Sequence, residues 1–88
     1  MCPSGSESFE LVTGYVYTAP TETIELKAGV LQLQQCLQMC RDHEDCRSVN
    51  FETGLCVLFS SSASERPQSL SPSQFPVFTI YAEKVCVQ

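Results

Sequence analysis

The spacing of apolar residues predicts one helix near the middle of the chain. Apolar side chains recur there at intervals of three and four residues, as one face of a helix requires. These residues are Val30, Leu33, Cys36, Leu37 and Cys40. We therefore predict a helix over Val30–Asp42 with Gly29 at its N-cap, and we assign its apolar face to the core.

Alternation of apolar and polar residues predicts strands on both sides of this helix. The predicted strands are Phe9–Thr18 (two short strands if Gly14 bends the chain), Thr21–Leu26, Ser48–Glu52, Leu55–Ser60 and Phe75–Val87. The Ser- and Pro-rich stretch Ser60–Gln74 has no periodicity, and we expect a long irregular loop there. One helix covered by several strands indicates an α+β domain.

A hairpin around Thr53-Gly54 would give its two strands a core face and an outer face. The core face would carry Val49, Phe51, Cys56 and Leu58. The outer face would carry the apolar residues Leu55, Val57 and Phe59. Because exposed apolar clusters mark partner sites, we predict that these three residues bind a partner, unless the Ser/Pro-rich loop or a neighbouring strand covers them.

The last predicted strand contains a conflict between pattern and charge. If Ile80 and Cys86 point inward, Lys84 points inward with them. We therefore predict either a bulge in this strand or an end of the strand beyond the core.

The cysteine content favours an oxidising compartment. Six cysteines occur in 88 residues, and a domain of this size has a small core that is often supported by disulfides. Such thiols would stay reduced in a cytosol, so an extracellular, secreted protein is expected. Residues 1–6 lack the basic and apolar regions of a signal peptide, and we expect one domain, residues 1–88, taken from a longer secreted protein.

Cysteine spacing alone does not choose among the possible disulfide pairings. On the predicted helix, Cys40 lies nearest to Cys46, which follows the helix after a short loop. Cys36 lies one turn earlier and could reach Cys56 in the hairpin. Cys2 and Cys86 then remain, one near each terminus.

A zinc site formed by Cys36, Cys40, His43 and Cys46 is the alternative. Structural zinc sites usually contain two tight cysteine pairs, whereas this arrangement would leave the other three cysteines unused. We therefore expect no metal and no cofactor. His43 is the one histidine and lies on a short polar loop without a nucleophile beside it, so no catalytic residue and no enzyme activity are predicted.

Charge and hydropathy exclude several classes of partner. The formal net charge is −5 and the basic residues form no stripe, so nucleic acid is not an expected partner. No stretch approaches the ~20 apolar residues of a membrane span, so no membrane insertion is expected.

The arrangement of motifs resembles the PAN/apple family. The motifs are the Cys36–Cys40 helix, the run C-R-S-V-N-F-E at Cys46–Glu52, the run L-C-V-L at Leu55–Leu58, a first strand at Phe9–Thr18 and a last strand ending in K-V-C at Lys84–Cys86. The central run is most similar to the PAN modules of zona-pellucida-type matrix proteins. The resemblance implies an antiparallel sheet of about five strands curled around one helix, with the pairs Cys2–Cys86, Cys36–Cys56 and Cys40–Cys46.

The resemblance also implies a non-catalytic extracellular module that contacts proteins, within a matrix or cell-surface protein. A lectin-like carbohydrate binder is one alternative, for which Tyr15, Tyr17 and Tyr81 would be the aromatic platforms. A structural spacer in a matrix polymer is the other. Heparin-binding members carry clustered basic residues, which this chain lacks, so glycosaminoglycan binding is not expected here.

Overall fold

The computed structural model describes residues 7–52, 54–74 and 79–86 of the chain. One α-helix and seven strands occur in these residues. In chain order they are β1 (Glu7–Thr13), β2 (Tyr15–Tyr17), β3 (Thr23–Ala28), α1 (Leu33–Asp42), β4 (Ser48–Glu52), β5 (Leu55–Phe59), β6 (Leu70–Pro72) and β7 (Thr79–Cys86). Short 3₁₀ turns occupy Pro20–Glu22 and Pro67–Ser69.

Five of the strands form one antiparallel sheet in the order β1-β7-β4-β5-β3. The helix α1 packs on β4 and β5, on the surface that we call the helix face of the sheet. The two short strands β2 and β6 pair with each other, and Tyr17 of β2 packs on the opposite, outer face. The prediction of an α+β domain with a sheet of about five strands and one helix is confirmed.

The helix begins three residues later than predicted. Gln32, not Gly29, is its N-cap, and the helix ends at Asp42 as expected. Gly29 instead has a φ of 88° and donates its N–H to the carbonyl of Gly54, and Gly54 donates back to Val30. Val30 lies in the segment before the helix, and its side chain is nevertheless buried in the core. Its apolar spacing therefore made the predicted helix too long at the N-terminal end.

Each predicted strand has a counterpart in the described residues, and Ser48–Glu52 has the predicted bounds. Residues 75–78 and 87 of the last predicted strand lie outside the described residues. Gly14, at a φ of 83°, divides the first predicted strand into β1 and β2. The predicted irregular loop contains one strand, β6, because Leu70–Pro72 pairs with Tyr15–Tyr17.

The helix face holds the larger core cluster and both described disulfides. The hairpin register places Phe51 opposite Cys56, as expected. The structure joins Cys36 to Cys56 and Cys40 to Cys46, the inner pairs that the family resemblance implied. All four sulfur-bearing residues are at most 1% exposed, so the bridges pin the helix to the sheet from inside the core. The expected Cys2–Cys86 pair involves Cys2, which lies outside the described residues.

Lys84 points inward without a bulge, so the first of the two predicted alternatives is wrong. The second, an end of the strand beyond the core, accords with the exposure of Cys86, the last residue of β7. β7 pairs with β1 and β4 without a register shift. The Lys84 Nζ donates to the carbonyl of Cys40 at 3.0 Å and lies 3.8 Å from a Glu7 carboxylate oxygen. A cation at the C-terminal end of a helix is favourable because the helix dipole places negative charge there. The inward charge is therefore compensated by the end of α1.

Candidate binding groove

The outer face of the hairpin is covered where the sequence predicted a partner site. Phe59 is 3% exposed, and its ring packs edge-to-face on Tyr17 with 5.1 Å between the ring centroids. Leu55 and Val57 are half-buried. The expectation that all three residues form an exposed surface is therefore wrong for Phe59, because β2 crosses over this end of the sheet.

Hydrogen bonds hold β2 in this covering position. The side-chain amide of Asn50 in β4 bonds both backbone groups of Tyr17, accepting from the N–H at 3.0 Å and donating to the carbonyl at 2.7 Å. The Tyr17 hydroxyl lies 2.7 Å from the Ser61 hydroxyl. Two of the tyrosines proposed as sugar platforms, Tyr17 and Tyr81, are each 1% exposed. The platform prediction is wrong for both, and Tyr15 alone of the three is exposed.

A groove opens beside this covered region, over the outer face of β1 and β7. It has a volume of about 320 Å³, and its lining residues are Glu10, Leu11, Val12, Ala63, Ser64, Leu70, Tyr81 and Glu83. Val12, Ala63 and Leu70 pack against the aromatic cluster of Tyr17, Phe59 and Tyr81, so the floor of the groove is apolar and anchored.

Two glutamates line the groove from opposed positions of neighbouring strands. Glu10 in β1 stands directly opposite Glu83 in β7. Like charges at directly opposed positions of an antiparallel pair destabilise a sheet. Neither carboxylate makes an ion pair within the described residues, which include every lysine and arginine of the chain. The groove therefore carries concentrated negative charge beside an apolar floor.

Glu83 is held in place by three donors. Its carboxylate accepts from the Ser64 N–H at 3.2 Å, from the Ser64 hydroxyl, and from the Tyr81 hydroxyl at 3.0 Å. The Tyr81 hydroxyl also accepts from the Ala63 N–H at 2.7 Å. Burial raises the pKa of Tyr81 well above its usual range, so the phenol keeps the proton that it donates. These bonds hold the Glu83 carboxylate in one orientation.

A second set of polar contacts holds the Ser/Pro-rich segment on either side of Ala63 and Ser64, which line the groove. Ser48 donates to the Ser61 carbonyl at 2.6 Å, and the Ser61 hydroxyl donates to Glu22 at 3.3 Å. The Arg66 guanidinium lies 2.7 Å from Glu22. A hydrogen bond from Thr21 lowers the pKa of the Glu22 carboxyl; partial desolvation opposes this shift, and the charge of Arg66 adds to it. The Ser/Pro-rich segment is thus tied down beside the groove.

His43 lines a second cavity together with Ser60 and Ser62, and no hydrogen bond joins its ring to either serine in the described residues. The His43 Nδ1 accepts from the Asp45 N–H at 3.3 Å on the loop after α1. The three cysteines of the alternative zinc set are joined in disulfides, so they offer no thiolate to a metal. No helix in the described part of the chain is long and apolar enough to cross a bilayer.

The sequence did not reveal this groove. Its two acids lie 73 positions apart and meet only through the pairing of β1 with β7. Register between distant strands cannot be derived from local periodicity. Alternation along the last strand does place Tyr81 and Glu83 on one face. It does not show which strand pairs with that strand.

Comparison with known families accords with the fold. A family model described as PAN domain matches residues 2–86. The chain belongs to the PAN domain family, whose members are non-catalytic modules that bind proteins or carbohydrates and occur in extracellular proteins. No curated protein sequence and no solved structure matches the chain.

Proposed function

We propose that this domain is a non-catalytic, extracellular protein-interaction module that binds a basic side chain of its partner in the groove over β1 and β7. The observation that carries the proposal is the facing pair Glu10 and Glu83, which has no counter-charge in the described part of the chain. A lysine or arginine inserted from a partner would supply that charge.

The shape of the groove suits this chemistry. Lysine and arginine cover apolar surface with their aliphatic stems while their charged heads reach polar groups. Here the stem would lie over Val12 and Leu70, and the head would reach the two carboxylates. The groove volume of about 320 Å³ is at the lower end of ligand pockets, which suits a side chain better than a whole small molecule.

The fixed position of Glu83 supports binding rather than merely local charge repulsion. Its donors, Ser64 and Tyr81, hold the carboxylate in one orientation. A pre-organised site loses less conformational entropy on binding, which favours affinity. The Glu10 carboxylate accepts no hydrogen bond in the described residues and Glu10 is exposed, so this carboxylate is available to a partner.

Selection from a displayed random-peptide library tests the proposal. The oxidised domain should enrich peptides in which lysine or arginine stands next to apolar residues. Glu10→Gln keeps the size of the side chain and removes its charge, and it should weaken the selected peptides about tenfold at low salt. Glu44→Gln, on the loop after α1, is the matched control and should leave binding unchanged.

Two results would overturn the proposal. One is enrichment of peptides without basic residues. The other is no enrichment at all by a domain whose fold is verified by NMR, a result that the structural-spacer hypothesis predicts. The expected outcome is a basic motif whose affinity falls with Glu10→Gln and with rising ionic strength.

A further inference from the structure

The edge of the sheet farthest from the groove is a second unoccupied surface. β3 is the last strand in the order β1-β7-β4-β5-β3, and no described strand pairs with its free edge, the edge away from β5. Exposed edge strands present unpaired backbone groups that can pair with another chain. Leu26, at the middle of β3, is 62% exposed.

The residues of β3 alternate between the two faces of the sheet. Leu26 stands opposite Val57, and both belong to the outer face. Glu25 and Lys27 stand opposite Leu58 and Cys56, so they belong to the helix face. Both charged residues are exposed, and neither makes an ion pair within the described residues.

This pattern is complementary to itself. When two copies of β3 run antiparallel about a two-fold axis at Leu26, Leu26 meets its own counterpart. Glu25 of each copy then stands opposite Lys27 of the other, because the two positions lie one residue either side of the axis. Both charge pairs are of opposite sign, and directly opposed pairs of this kind stabilise antiparallel strands.

We propose that the domain self-associates through β3 into a two-fold dimer with one continuous sheet. The outer face would gain an apolar row from Val57 and Leu26 of one copy to Leu26 and Val57 of the other. Leu55, opposite Ala28, borders this row. Two of the residues that the sequence assigned to partner binding thus lie beside the proposed interface.

Two features of the edge set the strength and specificity of this contact. The register of β3 shifts between Thr23 and Glu25, so regular pairing is limited to the second part of the strand. An interface this short is expected to be smaller than a standard stable one, so the dimer should be weak and concentration-dependent. Lys27 is the kind of edge residue that repels unsuitable strands, and in this register it meets a glutamate.

Charge reversal at the two positions tests the register directly. Wild-type oxidised protein should move from monomer toward dimer in sedimentation equilibrium as its concentration rises to about 1 mM. Glu25→Lys alone would oppose two pairs of lysines, and Lys27→Glu alone would oppose two pairs of glutamates. Each single variant should therefore dimerise at least tenfold more weakly, by the cost of opposed like charges.

Restoration is the stronger arm of the experiment. In an equimolar mixture of the two single variants, each lysine meets a glutamate, so a mixed dimer should form with the wild-type affinity. The double variant should also dimerise like wild type. General attraction cannot explain a mixed dimer, because both variants keep a negative net charge. Glu44→Lys alone is the control: it has the same net charge as Glu25→Lys but an unchanged β3, so it should dimerise like wild type.

Each possible result decides the question. A wild-type protein that stays monomeric throughout the concentration range overturns the proposal. A wild-type dimer that survives both single reversals shows another interface and also overturns it, as does a mixture that fails to associate. The fold of each variant is checked by its NMR spectrum, and Leu26→Ser provides a charge-neutral variant that should also weaken the dimer.

Discussion

The stability cost of truncating Phe59 to alanine tests whether the outer face of the sheet is covered at this residue. The side chain is 3% exposed and packs between β2 and the sheet, with its ring 5.1 Å from that of Tyr17. Replacing a buried phenylalanine by alanine typically costs about 3–5 kcal/mol, through lost burial and the cavity left behind. Loss of the edge-to-face ring contact accounts for about 0.5–1.5 kcal/mol of that figure.

The assay is urea denaturation of the oxidised domain followed by circular dichroism. Phe59→Ala should lower the free energy of unfolding by about 3–5 kcal/mol, and the melting temperature by more than ~12 °C for a domain of this size. Leu31→Ala is the matched control, because Leu31 is 69% exposed and its truncation should change stability by at most about 0.5 kcal/mol. Equal, small effects of the two changes would show that Phe59 is not covered.

Two further predictions concern groups whose chemistry depends on burial. Lys84→Met keeps the aliphatic stem and removes the charge that contacts Cys40 and Glu7. It should change the free energy of unfolding by less than about 1.5 kcal/mol. Lys84→Ala also removes the stem, so it should cost at least about 1 kcal/mol more in the same urea assay. The raised pKa of Tyr81 means that the native state holds the phenolic proton more tightly than the unfolded chain, so its contribution to stability is constant below about pH 10 and falls as the pH rises further. The free energy of unfolding should be measured between about pH 8 and about pH 11, a range that spans the usual tyrosine pKa. It should fall less steeply with rising pH in Tyr81→Phe than in wild type, and an equal fall would contradict this assignment.

The parts of the fold that the sequence predicts are those governed by local pattern. Cys36 and Cys40 lie one helical turn apart, so their shared buried face follows from helix geometry alone. The hairpin register follows equally from a short turn between two alternating strands, and Phe51 does face Cys56. Turn length and side-chain periodicity suffice for both features.

The parts that escaped prediction depend on contacts between distant segments. Tyr17 covers Phe59 because Asn50 binds the backbone of β2, a contact between residues 33 positions apart. β6 is three residues long and ends in proline, too short for alternation to be recognised. An inward Lys84 conflicted with the strand pattern because its hydrogen-bond acceptor could not be recognised from the sequence. That acceptor is the Cys40 carbonyl, near the end of a helix that is distant in the chain.

NMR titration of the oxidised domain with N-acetylarginine amide, a probe whose only charge is the guanidinium, tests the groove most directly. The proposal predicts that the amide signals of Ala63, Ser64 and Glu10 shift together on titration, and that Glu10→Gln weakens the response while Glu44→Gln does not. Shifts confined to the loop around Asp45, or no shifts even at tens of millimolar probe, would contradict the assignment of the groove as the binding site.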